Sequence, residues 1–257
     1  MPDENPLALS HQLLWEGLPQ STKGPRPTLT LDQIVAAGIE IADAEGIEAL
    51  SMRKLAATLG MGTMSLYRYI PSKAELLNLM LDHTSGTQVG RVDPSGSWRD
   101  TLTAVARRGR ELYLRHPWLL QVNWSRPVLG PGSIAQMEEA VSGLRDLPFR
   151  DQEKMMVISA VEAYVVGSVR EQILYDNASE ESGVTEEEFW NYQLPTLVRA
   201  MESGSYPAMA ALDEDVFDAG WEETFELGLR FLLDGIEGEV ARRRSQAGVS
   251  TSASSRA

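Results

Sequence analysis

Residues 51–73, SMRKLAATLGMGTMSLYRYIPSK, decide the fold because two short helical patterns meet there at a glycine-bearing turn. Ser51 is a suitable N-cap for the first helix, and the apolar residues after it recur at helical spacing. Gly60 ends that helix, since glycine readily takes the positive φ of a helix terminus. The second helix is predicted over 64–70 and ends before Pro71, because the residue preceding proline is pushed out of helical geometry. Helix, turn and helix in this order are typical of a DNA-reading helix-turn-helix.

Two more helices flank this motif. Upstream, Thr30 and Gln33 have the spacing of a capping box, and downstream Ser72 and Glu75 repeat it. The downstream helix is predicted to run to about His83. Apolar residues elsewhere recur at helical spacing rather than in alternation. The fold class is therefore predicted to be all-α, with a small three-helix head and a larger helical bundle.

The second helix of the motif and its exit carry many groups that bond nucleic acid. Hydroxyls, phenols and a guanidinium suit phosphates and base edges, and they occur at Thr63, Ser65, Tyr67, Arg68 and Tyr69. Lys73 is poorly placed for the dipole of its own helix, which indicates a phosphate docked beside it. The alternative interpretation is the solvated face of a small bundle, with half-buried tyrosines.

Residues 29–82 resemble the DNA-binding domain of the tetracycline-repressor (TetR) family. The family's run from the second-helix start through Leu-Gly to Leu-Tyr-Arg and Pro-Ser-Lys is present without a gap. The resemblance implies a homodimeric, ligand-responsive transcription regulator, most often a repressor, that binds a palindromic operator. Carried over by alignment, the implied base contacts are Arg53, Thr63, Met64 and Tyr67, and the implied phosphate contacts are Ser51, Ser65, Tyr69 and Lys73.

Composition limits the class of protein. The chain has 257 residues, of which 43% are hydrophobic, and it has no cysteine, which excludes a disulfide framework and a thiolate metal site. The N-terminus is not a secretory signal, and no apolar run of about 18 residues predicts a membrane span, so we expect a cytoplasmic protein. The net charge is −14, yet residues 23–83 carry six Lys/Arg against seven Asp/Glu. An acidic body with a local basic face therefore predicts salt-dependent binding of DNA.

Breaks in the pattern predict four regions. They are an N-terminal extension with a basic arm (1–27), the helix-turn-helix domain (28–86), an effector-binding and dimerisation domain (87–243) and a disordered tail (244–257). The arm, KGPRP at 23–27, suits a minor groove or is a solvated linker. Within the third region, helices are predicted over 98–115, 133–144, 151–175, 185–203 and 217–243. A polar loop is predicted at 177–184, and Pro195 is expected to kink or split its helix.

Family resemblance implies that the helices near 151–175 and 218–241 form a four-helix bundle across a dimer axis. The effector pocket is expected among aromatic and methionine side chains, which suit an adaptable apolar cavity: Tyr113, Trp118, Trp124, Met137, Met155, Tyr164, Phe189 and Trp190. Each of these is individually more typical of plain core. Val122 stands where the tetracycline-binding members have a metal-ligating histidine. We therefore expect no metal and no cofactor, and a small, largely apolar effector.

The sequence also bears on two other classes of protein, a helical enzyme and a ligand-binding protein that does not read DNA. A helical enzyme is disfavoured because the histidines His11, His83 and His116 show no metal-ligand spacing, and the chain has no phosphate-loop or nucleophile motif. A ligand-binding protein that keeps the head without reading DNA is disfavoured by the intact Tyr67 and Arg68. The sequence does not specify the effector, the operator, the sign of regulation or the role of residues 1–22.

Overall fold

The computed structural model describes residues 7–18, 29–88, 90, 93, 95–123, 127–213, 215–216 and 218–254. This described part is helical and contains no strand, so the prediction of an all-α fold is confirmed. The helices are α1 (Ala8–Trp15), α2 (Leu31–Glu45), α3 (Met52–Thr58), α4 (Thr63–Leu66), α5 (Lys73–Gly86), α6 (Trp98–Arg115), α7 (Pro131–Gly143), α8 (Asp151–Ser182), α9 (Glu186–Glu202), α10 (Pro207–Ala210) and α11 (Trp221–Ser254), with a 3₁₀ turn at Pro117–Leu120.

Local capping sets the boundaries of the head, α2 to α5. The predicted capping box before α2 is present, because Gln33 N donates to Thr30 Oγ1 at 3.2 Å and Thr30 N donates to Gln33 Oε1 at 2.9 Å. The hydroxyl of Ser51 accepts from Lys54 N at 3.2 Å and starts α3. Gly60, with φ +66°, lies just after its end. These predicted signals are confirmed because each depends only on neighbouring residues.

Helix α4 is shorter than the sequence predicts. It ends at Leu66, and the chain continues to Ile70 in turns, with Tyr69 N bonding Leu66 O at 2.9 Å. Leu66 and Ile70 are both fully buried in the head core and hold the two ends of this segment. The predicted helix over 64–70 is therefore wrong in length. Tight turns replace its last residues just ahead of Pro71.

Helix α1 packs across the head and reaches the body. Leu13 is buried in the head core, and Ser10 Oγ accepts from Asn78 Nδ2 of α5 at 2.9 Å. Trp15 Nε1 donates to the carbonyl oxygen of Leu129, 3.0 Å away. This short helix is thus anchored on α5 at one end and on the segment before α7 at the other. The basic arm predicted at 23–27 lies outside the described residues.

The body, α6 to α11, has its own core. Phe225 and Leu229 of α11 pack with Val161 and Val165 of α8 and with α6 and α7. Helices α8 and α11 are also joined by the guanidinium of Arg243, which donates to both carboxylate oxygens of Glu153 at 2.8 and 3.0 Å. That pair holds the pKa of Glu153 well below its usual range. No helix in the described ranges is long and apolar enough to cross a bilayer.

The structure of α8, α9 and α11 differs in part from the sequence prediction. The polar loop predicted at 177–184 is wrong for most of its length, because α8 continues to Ser182 and stops at Gly183, with φ +69°. Pro195 lies inside α9 without splitting it. Helix α11 runs to Ser254, so the tail predicted to be disordered from 244 begins inside a helix. Polar composition alone therefore does not end these helices.

One carboxylate joins the head to the body. Asp82, near the end of α5, is buried and accepts hydrogen bonds from the N-terminal turn of α7. The donors are Gly132 N at 3.0 Å, Ser133 N at 2.8 Å and Ser133 Oγ at 2.7 Å. A carboxylate is well placed there, because the first amides of a helix have no partner within the helix.

A second buried pair closes the same junction from the other side. Arg108 of α6 bonds Glu139 Oε2 of α7 at 2.7 Å and also bonds the carbonyl oxygen of Gln88, just beyond α5. Glu139 Oε1 in turn accepts from Gly90 N at 3.0 Å. Helices α5, α6 and α7 are therefore tied together by charged groups with well-defined partners.

The close approach of α5 and α7 can be tested by substituting Gly132. A Cβ at this position would lie 2.2 Å from the carbonyl oxygen of Asp82, which is backbone and unable to move aside. We expect Gly132→Ala to lower the free energy of unfolding by about 1–3 kcal/mol, measured by thermal and denaturant unfolding. The matched control is Gly220→Ala, where a Cβ meets nothing within 4 Å. Equal stability of the two variants would contradict the tight junction.

Candidate DNA-reading face and effector cavity

Helices α3 and α4 and the turn after α4 present several large side chains to solvent. Met64 is 79% exposed and Tyr67 is 40% exposed, although Leu66 between them is fully buried. Arg53 and Arg68 are also exposed, and neither guanidinium forms an ion pair with another described residue. Two large side chains and two uncommitted cations on one small face suit a polyanion with apolar base edges.

The remaining residues with predicted DNA contacts are partly engaged within the head. Ser51 is exposed, but its oxygen caps α3 and leaves the hydroxyl hydrogen as its free donor. Thr63 and Ser65 are partly buried, and Tyr69 packs against the head core. Lys73 Nζ donates to the carbonyl oxygen of Ile47 at 3.0 Å, and this contact ties α5 to the turn after α2. Arg53, Met64, Tyr67 and Arg68 are thus the most available of the set.

A second feature is a cavity of about 270 Å³ in the body, next to the head. Its walls come from α5, α6, α7, α8 and the segment before α7. Apolar side chains form most of the lining, including Leu81, Val105, Leu112, Leu129, Ile158 and Val165. Leu81 lies next to Asp82 on α5. The cavity therefore borders the junction that joins the head to the body.

Besides Ser85 and Ser133, the polar side chains of the lining are Tyr113, Gln136 and Glu162. Burial, and secondarily the charge of Glu162, raise the pKa of the Tyr113 phenol, so it remains a neutral donor at physiological pH. Burial also raises the pKa of the Glu162 carboxyl. A few polar groups in a mostly apolar cavity are the usual arrangement of a small-molecule site.

Some of the residues predicted to line the effector pocket border the cavity, and others lie elsewhere. Tyr113 and Met137 border the cavity. Trp118 is fully buried in the head core and donates from Nε1 to Asp43 Oδ1 at 2.8 Å. Met155 and Phe189 lie away from the cavity with exposed side chains. Trp124 lies outside the described residues.

Tyr164 and Trp190 are not among the described lining residues of the cavity. Tyr164 stacks on Phe225 with ring centroids 5.5 Å apart and donates to the carbonyl oxygen of Phe225 at 2.8 Å. A Cβ at Gly228 would collide with this phenol, so the glycine permits the contact between α8 and α11. Trp190 packs edge-on against Phe189 on α9. Helical periodicity identified these rings as apolar but did not show which cavity or core they enter.

Sequence reasoning missed several residues at the cavity. The predicted lining contained only aromatic and methionine residues, so it did not include the polar side chains of Gln136 and Glu162. Glu162 nevertheless had a signal, because it interrupts the most apolar segment of the chain, 155–169. In the described ranges, no group of three or more His, Asp or Glu side chains is placed to hold a metal ion.

A helix-turn-helix face on a helical body with an apolar cavity defines a ligand-responsive, DNA-binding transcription regulator. Two family profiles match the chain. The profile described as bacterial regulatory proteins of the tetR family matches residues 34–80, and the tetracyclin repressor-like C-terminal domain matches residues 92–240. The chain belongs to the TetR family, and it is a ligand-responsive transcriptional repressor rather than an enzyme.

Individual relatives agree with this assignment. The chain is 47% identical to the HTH-type transcriptional repressor DrrR1 of Streptomyces coeruleorubidus over 241 residues, covering 93% of this chain and 89% of that protein. The solved structure of the TetR family protein ActR of Streptomyces coelicolor, in complex with actinorhodin, superposes with a TM-score of 0.68 at 29% identity. That match covers 83% of this chain and 99% of ActR. The family binds operator DNA as dimers and responds to small-molecule effectors.

Tyr67 provides the test of the reading face. Its exposed ring does not support the head core, so we expect Tyr67→Ala to leave folding and dimerisation unchanged while operator affinity falls by about tenfold or more per head. Binding is measured by gel shift and folding by circular dichroism. Tyr206→Ala removes an exposed tyrosine far from the head and is the matched control. Unfolding of Tyr67→Ala would instead show that the ring is part of the core.

Proposed function

We propose that this protein represses transcription by binding an inverted-repeat operator through two copies of the face formed by Arg53, Thr63, Met64, Tyr67 and Arg68. A small molecule in the cavity then changes the angle of α5 and releases the DNA. The observation that carries this proposal is the bond network of Asp82, which joins the helix that bears the head to a wall of the cavity.

The proposed contacts divide into two kinds. Arg53 is suited to the paired acceptors of guanine, and Met64 to a thymine methyl group. Ser51, Ser65, Tyr69 and Lys73 are proposed to bond phosphates, which would position the head without reading sequence. The Lys73 ammonium has two further hydrogens besides the one given to Ile47, so that internal contact is compatible with a phosphate.

Dimerisation is proposed through the outer faces of α8 and α11. Phe231 on the outer face of α11 is 64% exposed in the single chain, opposite the buried Leu229. Small residues dominate the outer face of α8 and allow close approach of a second helix pair: Ser159, Ala160, Ala163 and Gly167. A dimer formed about a twofold axis through this surface would present two reading faces. The distance between those faces would set the spacing of the operator half-sites.

Coupling is proposed to run through the junction of α5 and α7. Ser85 on α5 and Ser133 on α7 both line the cavity, and Asp82 bonds the latter directly. An effector that presses α7 outward would carry the end of α5 with it. A small rotation of α5 in each protomer changes the distance between the two heads, and DNA of fixed pitch no longer fits both. Action on DNA also supports a cytoplasmic location.

The experiment that tests the proposal is selection of binding sites from random duplex DNA by the purified protein. The expected product is an inverted repeat whose half-sites are related by the protein's twofold axis. Its complex should weaken strongly between low and physiological salt, because basic groups release counterions from phosphates. Enrichment of no sequence at all at low salt would overturn the assignment of the reading face.

The dimer surface is tested by a pair of charge insertions. We expect Phe231→Glu to produce a monomer in light scattering, since a buried unpaired carboxylate is costly, and to lose tight operator binding with it. Met64→Glu is the matched control: it should stay dimeric and lose DNA binding through repulsion of the operator. A dimeric Phe231→Glu variant would place the interface elsewhere.

The coupling is tested at Asp82. Asp82→Asn keeps the volume but replaces a charged acceptor with a neutral amide at the N-terminus of α7, weakening that contact by about 1 kcal/mol or more. We expect operator binding to persist while an effector identified by screening releases the DNA less completely. Asp146→Asn, outside the junction, should behave as wild type. Unchanged release in Asp82→Asn would exclude this route.

A further inference from the structure

Glu162 is the single charged residue among the described residues that line the cavity. It lies on α8 between Val161 and Val165, which are both buried in the body core. Across the cavity, α6 contributes the Tyr113 phenol and α7 contributes the Gln136 amide. No lysine or arginine belongs to the described lining, so the cavity has a local negative charge.

Among the described residues, Glu162 has no partner for that charge. In the described ranges its carboxylate forms no hydrogen bond and no ion pair. Two arginines of α6 have other partners, since Arg108 bonds Glu139 and Arg110 bonds Gln172 while lying over Phe225. By contrast, the carboxylate of Asp82, which lies beside the cavity on α5, has three donors.

An unpaired carboxylate in an apolar wall is tolerated only while solvent reaches it. The Glu162 side chain is still accessible in the single chain, but burial already raises its pKa. A ligand that fills the cavity removes the remaining solvent. Unless the ligand supplies a compensating positive charge, the complex is destabilised by a buried, uncompensated ion.

We infer that Glu162 selects effectors that carry a protonated amine or a comparable cationic group on an apolar ring system. The inference rests on the proposed role of the cavity as the effector site. The ring system occupies the space among Leu112, Val105 and Ile158, and the cation lies against the Glu162 carboxylate. Tyr113 and Gln136 orient polar groups at the edge of the rings. Anionic molecules of the same size are repelled.

The test uses three probes of equal ring size and different charge: 1-naphthylmethylamine, 1-naphthalenemethanol and 1-naphthoate. Their affinities for the full-length protein are measured by calorimetry at neutral pH. We expect the amine to bind about tenfold or more tightly than the alcohol, because a carboxylate holds an ammonium group more strongly than a neutral hydroxyl. Naphthoate is expected to bind most weakly.

The deciding variant is Glu162→Gln, which keeps the shape and removes the charge. It should bind the alcohol as the wild type does and lose the preference for the amine. Glu180→Gln, on the exposed end of the same helix, is the matched control and should keep the preference. A preference that persists in Glu162→Gln, or a wild type that favours the alcohol, overturns the inference. Failure of all three probes to bind overturns the cavity itself as the effector site, whereas DNA reading is judged separately by the binding-site selection.

Discussion

The carboxylate of Asp82 is the contact on which the arrangement of head and body depends. It lies at the end of the helix that supports the head, and it satisfies the unpaired amides at the start of α7. The interaction requires glycine at 132, because any side chain there would meet the backbone of α5. Because three donors hold this charged acceptor, the position of α5 relative to α7 is closely fixed at this point. In the proposed coupling, a displacement of α7 would therefore be transmitted to α5.

The head is also held at a second point, well away from Asp82. Asp43 at the end of α2 accepts from Trp118 Nε1 at 2.8 Å and lies 2.7 Å from Nδ1 of His116. Trp118 is itself buried in the head core although it belongs to the body side of the chain. The head is therefore joined to the body side of the chain at two places, through Asp82 of α5 and through Asp43 of α2.

The cavity and the dimer surface share one helix. Helix α8 contributes Ile158, Val161 and Val165 to the core side, and small residues such as Ala163 and Gly167 to the outer side. A ligand in the cavity thus contacts the same helix that is proposed to pack against a second copy. This placement lets the occupancy of one protomer affect the geometry of the pair without a long chain of intermediates.

The sequence by itself determined the helical class, the helix-turn-helix and the caps at Thr30, Ser51 and Gly60, because these signals act between neighbouring residues. It also predicted which side chains contact DNA, and those contacts stay a prediction. The lengths predicted for α4 and α8 are wrong. Burial of Ile70 and the stop at Gly183, rather than local composition, determine the structure of these segments. Only the tertiary structure decided which apolar faces enclose a cavity, since periodicity shows that a face is buried but not what it meets. The pairing of Asp82 with α7, and the absence of a described partner for Glu162, arise from residues distant in the chain.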